Sequence, residues 1–353
     1  MKLRRALEIA VVGVALTSAA VQAADIVNRK SGEKRVAGTI TGTTKTEVTV
    51  KPSTGDSVVV PANDIASVDW NDAPSIMKLG KGDENNGKFD AALDKFAKAA
   101  EELKSGSELV RTDLEFLVAR VTARIALTDP SKQDEAAARL TAFLKSHANS
   151  FRFYEAQQWL GQVYLARGDH SAARAAFEVL SEAPWSDYRL LSKVNLGRVL
   201  MSSNQLEEAV KAFDEAIAAA GNSAADMSRK YEAMVAKARA LVAQNRHAEA
   251  LAPLNEVLDH APPEETALKA EAYVLQGACL QATNKSKEAV LAYLHVDVLF
   301  ARESAFHAEA LYHLARLWKA VQYPDRALEA QAKLEGMYPN SEWAKKLGAG
   351  GAE

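Results

Sequence analysis

The chain has 353 residues, of which 43 are basic and 46 acidic, giving a formal net charge of −3. Apolar residues make up 48% and charged residues 25%, so the chain can bury a core and is not a disordered polyelectrolyte. The lone Cys279 excludes an internal disulfide framework and a multi-cysteine metal site, and the near-neutral charge offers no global field to gather nucleic acid or anionic lipid. At roughly 100–200 residues per domain, the length fits two domains or one long repeat array.

The N-terminus reads as an address. Lys2, Arg4 and Arg5 precede an apolar run from Ala6 to Val21 that is interrupted only by Glu8, and the run closes with Val21-Gln22-Ala23-Ala24. A basic start, a short apolar stretch and a small-x-small end predict a secretory signal peptide over residues 1–23. The run falls short of the ~20 residues a spanning helix needs, so no stable membrane insertion is expected after cleavage. The mature chain would carry 40 basic and 45 acidic residues. The expected location is the periplasm or cell envelope of a Gram-negative-type bacterium, or the medium. A single cysteine avoids mispairing in such an oxidising compartment.

Residues 24–71 are rich in Val, Thr and Gly and nearly free of Leu. Thr46-Glu47-Val48-Thr49-Val50-Lys51 alternates with period two, and Val58-Val59-Val60 favours extended structure. Gly38, Gly42 and Pro52-Ser53-Thr54-Gly55 supply turns. Five short strands are predicted near 25–29, 35–41, 46–51, 57–61 and 65–69. The pattern of valines, the Gly-Thr-Ile of residues 38–40 and the Val-Pro-x-x-Asp-Ile of residues 60–65 resemble a small SH3-like or Sm-like barrel. Its core is expected to hold Ile65 and Trp70. Basic Arg29, Lys30, Lys34, Arg35, Lys45 and Lys51 are matched by as many acidic residues, which argues against nucleic-acid binding.

From residue 75 to 345 the sequence reads as one helix after another, with apolar residues recurring every third and fourth position. The clearest unit holds Leu160, Gly161, Tyr164, Gly168, Ala173 and Phe177; the next holds Leu196, Gly197, Leu200, Asn204, Ala209 and Phe213. Gly161 to Gly197, Ala173 to Ala209 and Phe177 to Phe213 are all the same distance, 36 residues. Further units contain Ala238, Asn245, Ala250 and Leu254; Gly277, Asn284, Ala289 and Tyr293; and Ala315, Trp318, Ala327 and Pro339. Upstream, Gly80, Gly87, Ala92 and Phe96 fit the same pattern, while a degenerate pair spans 108–127 and 132–147 around Thr128-Asp129-Pro130.

This set of small, aromatic and closing positions resembles the tetratricopeptide repeat. The resemblance implies a mainly α fold, an α-solenoid of about five to six helical hairpins behind the small β module. A Gly/Ala-rich tail is expected from 346 onwards. Small residues sit where the two helices of a pair cross, and the aromatic fills the space between neighbouring pairs. One pair cannot bury its own apolar face, so stacking is obligatory. The period departs from the family's usual length, and Gln157 stands in the place of the usual first-helix Trp.

Candidate chemistry does not assemble. His307 and His313 are six apart, not the i, i+4 of two ligands on one helix face, and His295 and Asp297 point to different sides. Gly80-Lys81-Gly82-Asp83 lacks the Gly-Lys-Ser/Thr of a phosphate loop. Asp83-x-Asn85-x-Gly87 begins like a calcium loop but has Lys88 where the sixth-position glycine belongs. Ser75-Ile76-Met77-Lys78 is a four-letter match to acylated enzymes without companion motifs. Cys279 is expected to be an inert buried thiol. No catalytic residue, metal or cofactor is expected, and the chain is read as a non-enzymatic scaffold.

By the family resemblance, the first helices of the pairs line a groove in which partners lie. Arg198, Arg239 and Arg316 then share one groove-facing place, with Tyr312 beside the last. They form either a recognition row for an extended, carboxylate-bearing segment or ordinary charges neutralised by Glu232, Glu271 and Glu309. The expected partner is a protein or peptide, with oligomeric state open. A structural subunit that uses the convex face is the alternative, and a hydrolase with an unrecognised site a more distant one.

Overall fold

The computed structural model describes residues 24–103 and 107–349. The expected signal peptide and residues 350–353 lie outside the described residues.

Five strands open the chain: β1 (Asp25–Arg29), β2 (Val36–Thr43), β3 (Glu47–Lys51), β4 (Val58–Pro61) and β5 (Ile65–Asp69). All pair antiparallel in the order β4-β3-β2-β1-β5, and a 3-10 turn at Ala62–Asp64 connects β4 to β5. The barrel-like closure expected from the sequence is corrected here: β4 and β5 are the two edges of an open sheet and do not pair with each other. Val48 faces Val60 and Val50 faces Val58 across β3 and β4; Val48, Val50 and Val60 are buried, whereas Val58 at the sheet edge is exposed. The buried side does not close on itself. Val27, Val48, Val60, Ile65, Val68 and Trp70 join Met77, Phe96 and Phe116 of the helical region in a single core. A sheet this small has too little interior to stand alone, and the helices supply the rest.

Fifteen α-helices follow: α1 (Ser75–Asn85), α2 (Phe89–Glu102), α3 (Glu108–Ala126), α4 (Gln133–Ser146), α5 (Phe153–Ala166), α6 (His170–Val179), α7 (Ser186–Ser202), α8 (Leu206–Ala219), α9 (Ala224–Ala243), α10 (His247–His260), α11 (Thr266–Ala282), α12 (Ser286–Leu299), α13 (Ser304–Ala320), α14 (Pro324–Met337) and α15 (Glu342–Ala349). They form seven consecutive hairpins and a closing helix. Six hairpins share one register and one, α3/α4, does not. Helical structure runs on to Ala349, past the expected start of the tail at 346.

The shared register has a physical reason at each position. The crossing residue is Gly80, Gly161, Gly197, Ala238, Gly277 or Ala315. Seven residues on, Gly87, Gly168, Asn204, Asn245, Asn284 and Gln322 all have positive φ, between 60° and 79°. The next N–H reaches back five residues, as in Gln205 to Leu200 at 2.9 Å and Arg246 to Leu241 at 2.8 Å, so the last helical carbonyls are satisfied and the chain reverses. Twelve residues after the crossing residue stands an alanine every time (Ala92, Ala173, Ala209, Ala250, Ala289, Ala327), each with no exposed surface. Sixteen residues after it stand Phe96, Phe177, Phe213, Leu254, Tyr293 and Gln331. A Cβ on Gly197 would lie 2.5 Å from the Phe213 ring, and one on Gly277 would lie 2.6 Å from Tyr293. The glycine therefore makes room for an aromatic ring. Where the crossing residue is Ala238, the partner shrinks to Leu254. The irregular hairpin α3/α4 lacks the positive-φ turn and uses a proline-led 3-10 turn, Pro130–Lys132, capped by Asp129.

A candidate interaction groove and the module that fills half of it

From α3 on, the first helices of successive hairpins adjoin one another: α3 with α5, α7 with α9, α9 with α11 and α11 with α13, while α5 meets α7 through the Tyr154 and Tyr188 rings, 6.0 Å apart. The β module docks onto the N-terminal part of the face these helices make. Trp70 donates its indole N–H to Asp113 of α3 at 2.8 Å. Lys81 of α1 donates to the carbonyl of Val68 in β5. The Asn63 amide donates to Asp187 of α7 at 3.1 Å, and Lys45 lies over the rings of Phe153 and Tyr154 of α5.

Beneath the module runs a ladder of buried charges. Arg152, 2% exposed, donates to Asp113, which has no exposed surface, at 2.9 Å, and to Glu155 at 3.0 Å. Glu155 also accepts from Arg120 at 3.0 Å. Arg120 grips Glu84 through two parallel bonds of 2.8 Å, and Arg124 reaches the same carboxylate at 3.2 Å. Burial alone would raise the Asp113 carboxyl, but Arg152, Lys81 and the Trp70 hydrogen bond outweigh it and hold it below the ordinary range. For Glu155 burial again opposes, and Arg120, Arg152 and Lys30 win, taking it down to about 2. Every charge in the ladder has a partner, which is the condition for burying charge at tolerable cost.

The face is open further along. A hollow of about 300 Å³ is walled by Arg198, Met201 and Ser202 of α7, Glu232, Val235 and Arg239 of α9, and Glu271 of α11. The structure thus brings Arg198 and Arg239 together. Arg198 is 3.8 Å from Glu232, and Arg239 is 2.7 Å from Glu271, so both are neutralised within the face. Arg316 stands apart. It donates to the Tyr312 hydroxyl at 2.7 Å rather than to Glu309. Tyr312 in turn packs against Trp343 of α15, with ring centroids 5.2 Å apart. The closing helix therefore packs on Tyr312, while Arg316 itself stays exposed.

The remaining motifs have structural roles. Gly80 accommodates Phe96, and Gly87 makes the α1/α2 turn. Asp297 pairs with His307 at 2.9 Å rather than with His295, and His307 also meets the Tyr338 hydroxyl at 2.8 Å. His313 stacks on Tyr293 at 4.7 Å; burial, then Arg316 and Lys346, lowers its pKa to about 4. Cys279 is buried, and burial pushes its thiol up to about 11, far from a reactive thiolate. Among the described residues no group of His, Cys, Asp and Glu is arranged to hold a metal, and no helix is long and apolar enough to cross a membrane. The charge ladder was missed by sequence reasoning, because its members are polar residues from separate elements with no shared spacing. The one sequence signal was Asp113, an acid in the middle of an otherwise apolar helical stripe.

Residues 131–187 and 194–265 match the family described as tetratricopeptide repeat. No curated protein matches the chain. Several solved structures share its fold. The apo form of RapI has a TM-score of 0.52 at 15% identity, over 77% of this chain and 79% of that one. A Rap protein complexed with competence and sporulation factor has a TM-score of 0.53 at 14% identity, over 78% and 75%. A tetratricopeptide repeat protein from Parabacteroides merdae has a TM-score of 0.50 at 16% identity, over 77% and 95%. Two stretches of the helical region thus match the tetratricopeptide repeat, the helical fold is a tetratricopeptide-like α-solenoid, and a small antiparallel sheet precedes it.

Proposed function

We propose that the protein is a non-enzymatic scaffold that holds an extended peptide or protein segment on the first-helix face between α7 and α13. The observation that carries this reading is the hollow where Arg198, Arg239, Glu232 and Glu271 meet around Met201 and Val235. Paired charges over an apolar floor give a segment both hydrogen-bonding partners and a surface to bury. The β module blocks the other half, so the site is short, four hairpins from α7/α8 to α13/α14. One structure with the same fold was solved complexed with competence and sporulation factor, which supports a ligand-binding use of this architecture. The strand order, with a 3-10 turn before the last strand, supports an SH3-like reading of the module. The basic, apolar and small-residue pattern of residues 1–23 supports export to the periplasm or cell envelope.

The test is in-cell crosslinking with mass spectrometry on wild type and on Arg198→Glu/Arg239→Glu/Arg316→Glu. Loss of one dominant partner at unchanged protein level and helicity is the expected result. An unchanged partner list refutes the groove. A second reading, a subunit of an envelope assembly, is favoured by one observation: Leu291, Val298 and Leu299 of α12 and Leu328 and Met337 of α14 are all more than half exposed on second helices. Charge reversal in the groove would leave such an assembly intact.

A further inference from the structure

The irregular hairpin leaves a gap that the regular ones do not. Between α2, α3 and α4 lies a slot of about 670 Å³, more than twice the volume of the groove hollow. Its floor is Leu103, Leu114 and Phe143, all buried; Leu93 and Val118 extend the apolar lining, and α2 and α4 add the small side chains of Ala97, Ala100 and Ala142. The volume falls within the ~300–1,000 Å³ of small-molecule sites, and the lining is chiefly apolar with a few polar groups at the mouth. Those groups are not equivalent. Arg139 is held by Glu135 at 2.9 Å and Glu115 by His147 at 2.8 Å. The side chain of Arg111, exposed at the same mouth, has no hydrogen bond or ion pair among the described residues.

We infer that this slot binds an amphipathic carboxylic acid, with its hydrocarbon chain between α2 and α4 and its carboxylate on Arg111. The apolar surface lies inside the slot, not around it. None of the exposed large apolar side chains lines it, so a protein face laid across the mouth would find no anchor there. A thin chain that enters end-on reaches Leu103, Leu114 and Phe143. The guanidinium gives a carboxylate a charge-assisted partner that no side chain among the described residues claims.

The test uses the full chain and dodecanoate, titrated by calorimetry, with dodecanol as an uncharged control. Saturable binding of one dodecanoate is expected. Ala142→Phe, which fills the slot, should abolish it. Arg111→Gln should weaken dodecanoate roughly tenfold while leaving dodecanol unchanged. Ala97→Phe fills the opposite wall and serves if Ala142→Phe fails to fold by circular dichroism. Absence of saturable binding to wild type overturns the inference, as does binding that survives both filling variants. The groove proposal stands or falls separately, because none of these positions lines the α7–α13 face.

Discussion

The two halves of the helical face solve different problems. In the N-terminal half, first helices carry charged residues into the interior, and a β module covers them. Trp70, Asp113, Arg152, Glu155, Arg120 and Glu84 form one bonded series there. In the C-terminal half, every hairpin keeps the register of small residue, left-handed turn and alanine that α1/α2 and α5/α6 also follow, but no module covers the face, which is open to solvent. The difference teaches that repetition specifies the stack, whereas a non-repeated polar network specifies which part of the stack is occupied. A network of this kind is costly if incomplete, so it fixes one docking position for the module.

The largest effect should come from breaking the network. Asp113→Ala leaves the buried Arg152 with Glu155 alone and strips the Trp70 indole of its acceptor, and should cost about 3–5 kcal/mol, read from urea unfolding. A loss below about 1 kcal/mol would mean that the network is not what seats the module. Acid should separate the halves. Asp113 and Glu155 both have depressed folded values, so their stabilisation is complete above their ordinary values of 3.8 and 4.5 and is lost as pH falls below them, for Glu155 toward about 2. His313 is held neutral with a folded value of about 4 against an ordinary 6.5, so the unfolded chain takes the proton first and stability declines as pH falls from 6.5 to 4. Hydrogen exchange across pH should show the α13–α15 end loosening before the module does.

Within the regular half, Gly197→Ala forces a methyl group against Phe213 and should cost about 1–3 kcal/mol in thermal or urea unfolding. Adding Phe213→Leu copies the natural Ala238 and Leu254 combination and should recover much of that loss, measured as a double-mutant coupling. Asn245→Val places a β-branched residue at a φ of 62° and should cost about 1–2 kcal/mol. Smallest is Glu271→Gln. It releases Arg239 on a partly exposed surface, and should change stability by less than about 1 kcal/mol while altering partner affinity.

Much of this was legible in the sequence. The strands fall within a few residues of the alternating valines, and the spacing of Gly161, Gly197, Ala173, Ala209, Phe177 and Phe213 reflects a real contact, since each glycine faces its own aromatic. Such features repeat, and repetition is visible without coordinates. The openness of the sheet was not legible, because alternation shows which strand faces are buried but not what buries them. The docking of the module was not legible either: Trp70 and Asp113 are 43 residues apart and nothing in the local sequence links them. For the arginine row, sequence reasoning left recognition and internal pairing both open. The structure pairs Arg198 and Arg239 with the acidic residues that the sequence pointed to and turns Arg316 toward Tyr312. A ligand for this face must therefore exchange existing ion pairs rather than find free cations.

The central proposal is that the open half receives the partner while the covered half does not. The most direct measurement is site-specific photo-crosslinking in cells with benzoylphenylalanine at Ser202, in the hollow, and at Lys78, beside the sheet. The account predicts a partner crosslink from position 202 and, from position 78, only crosslinks within the chain to the β5 region. A partner captured at 78 and none at 202 would contradict it.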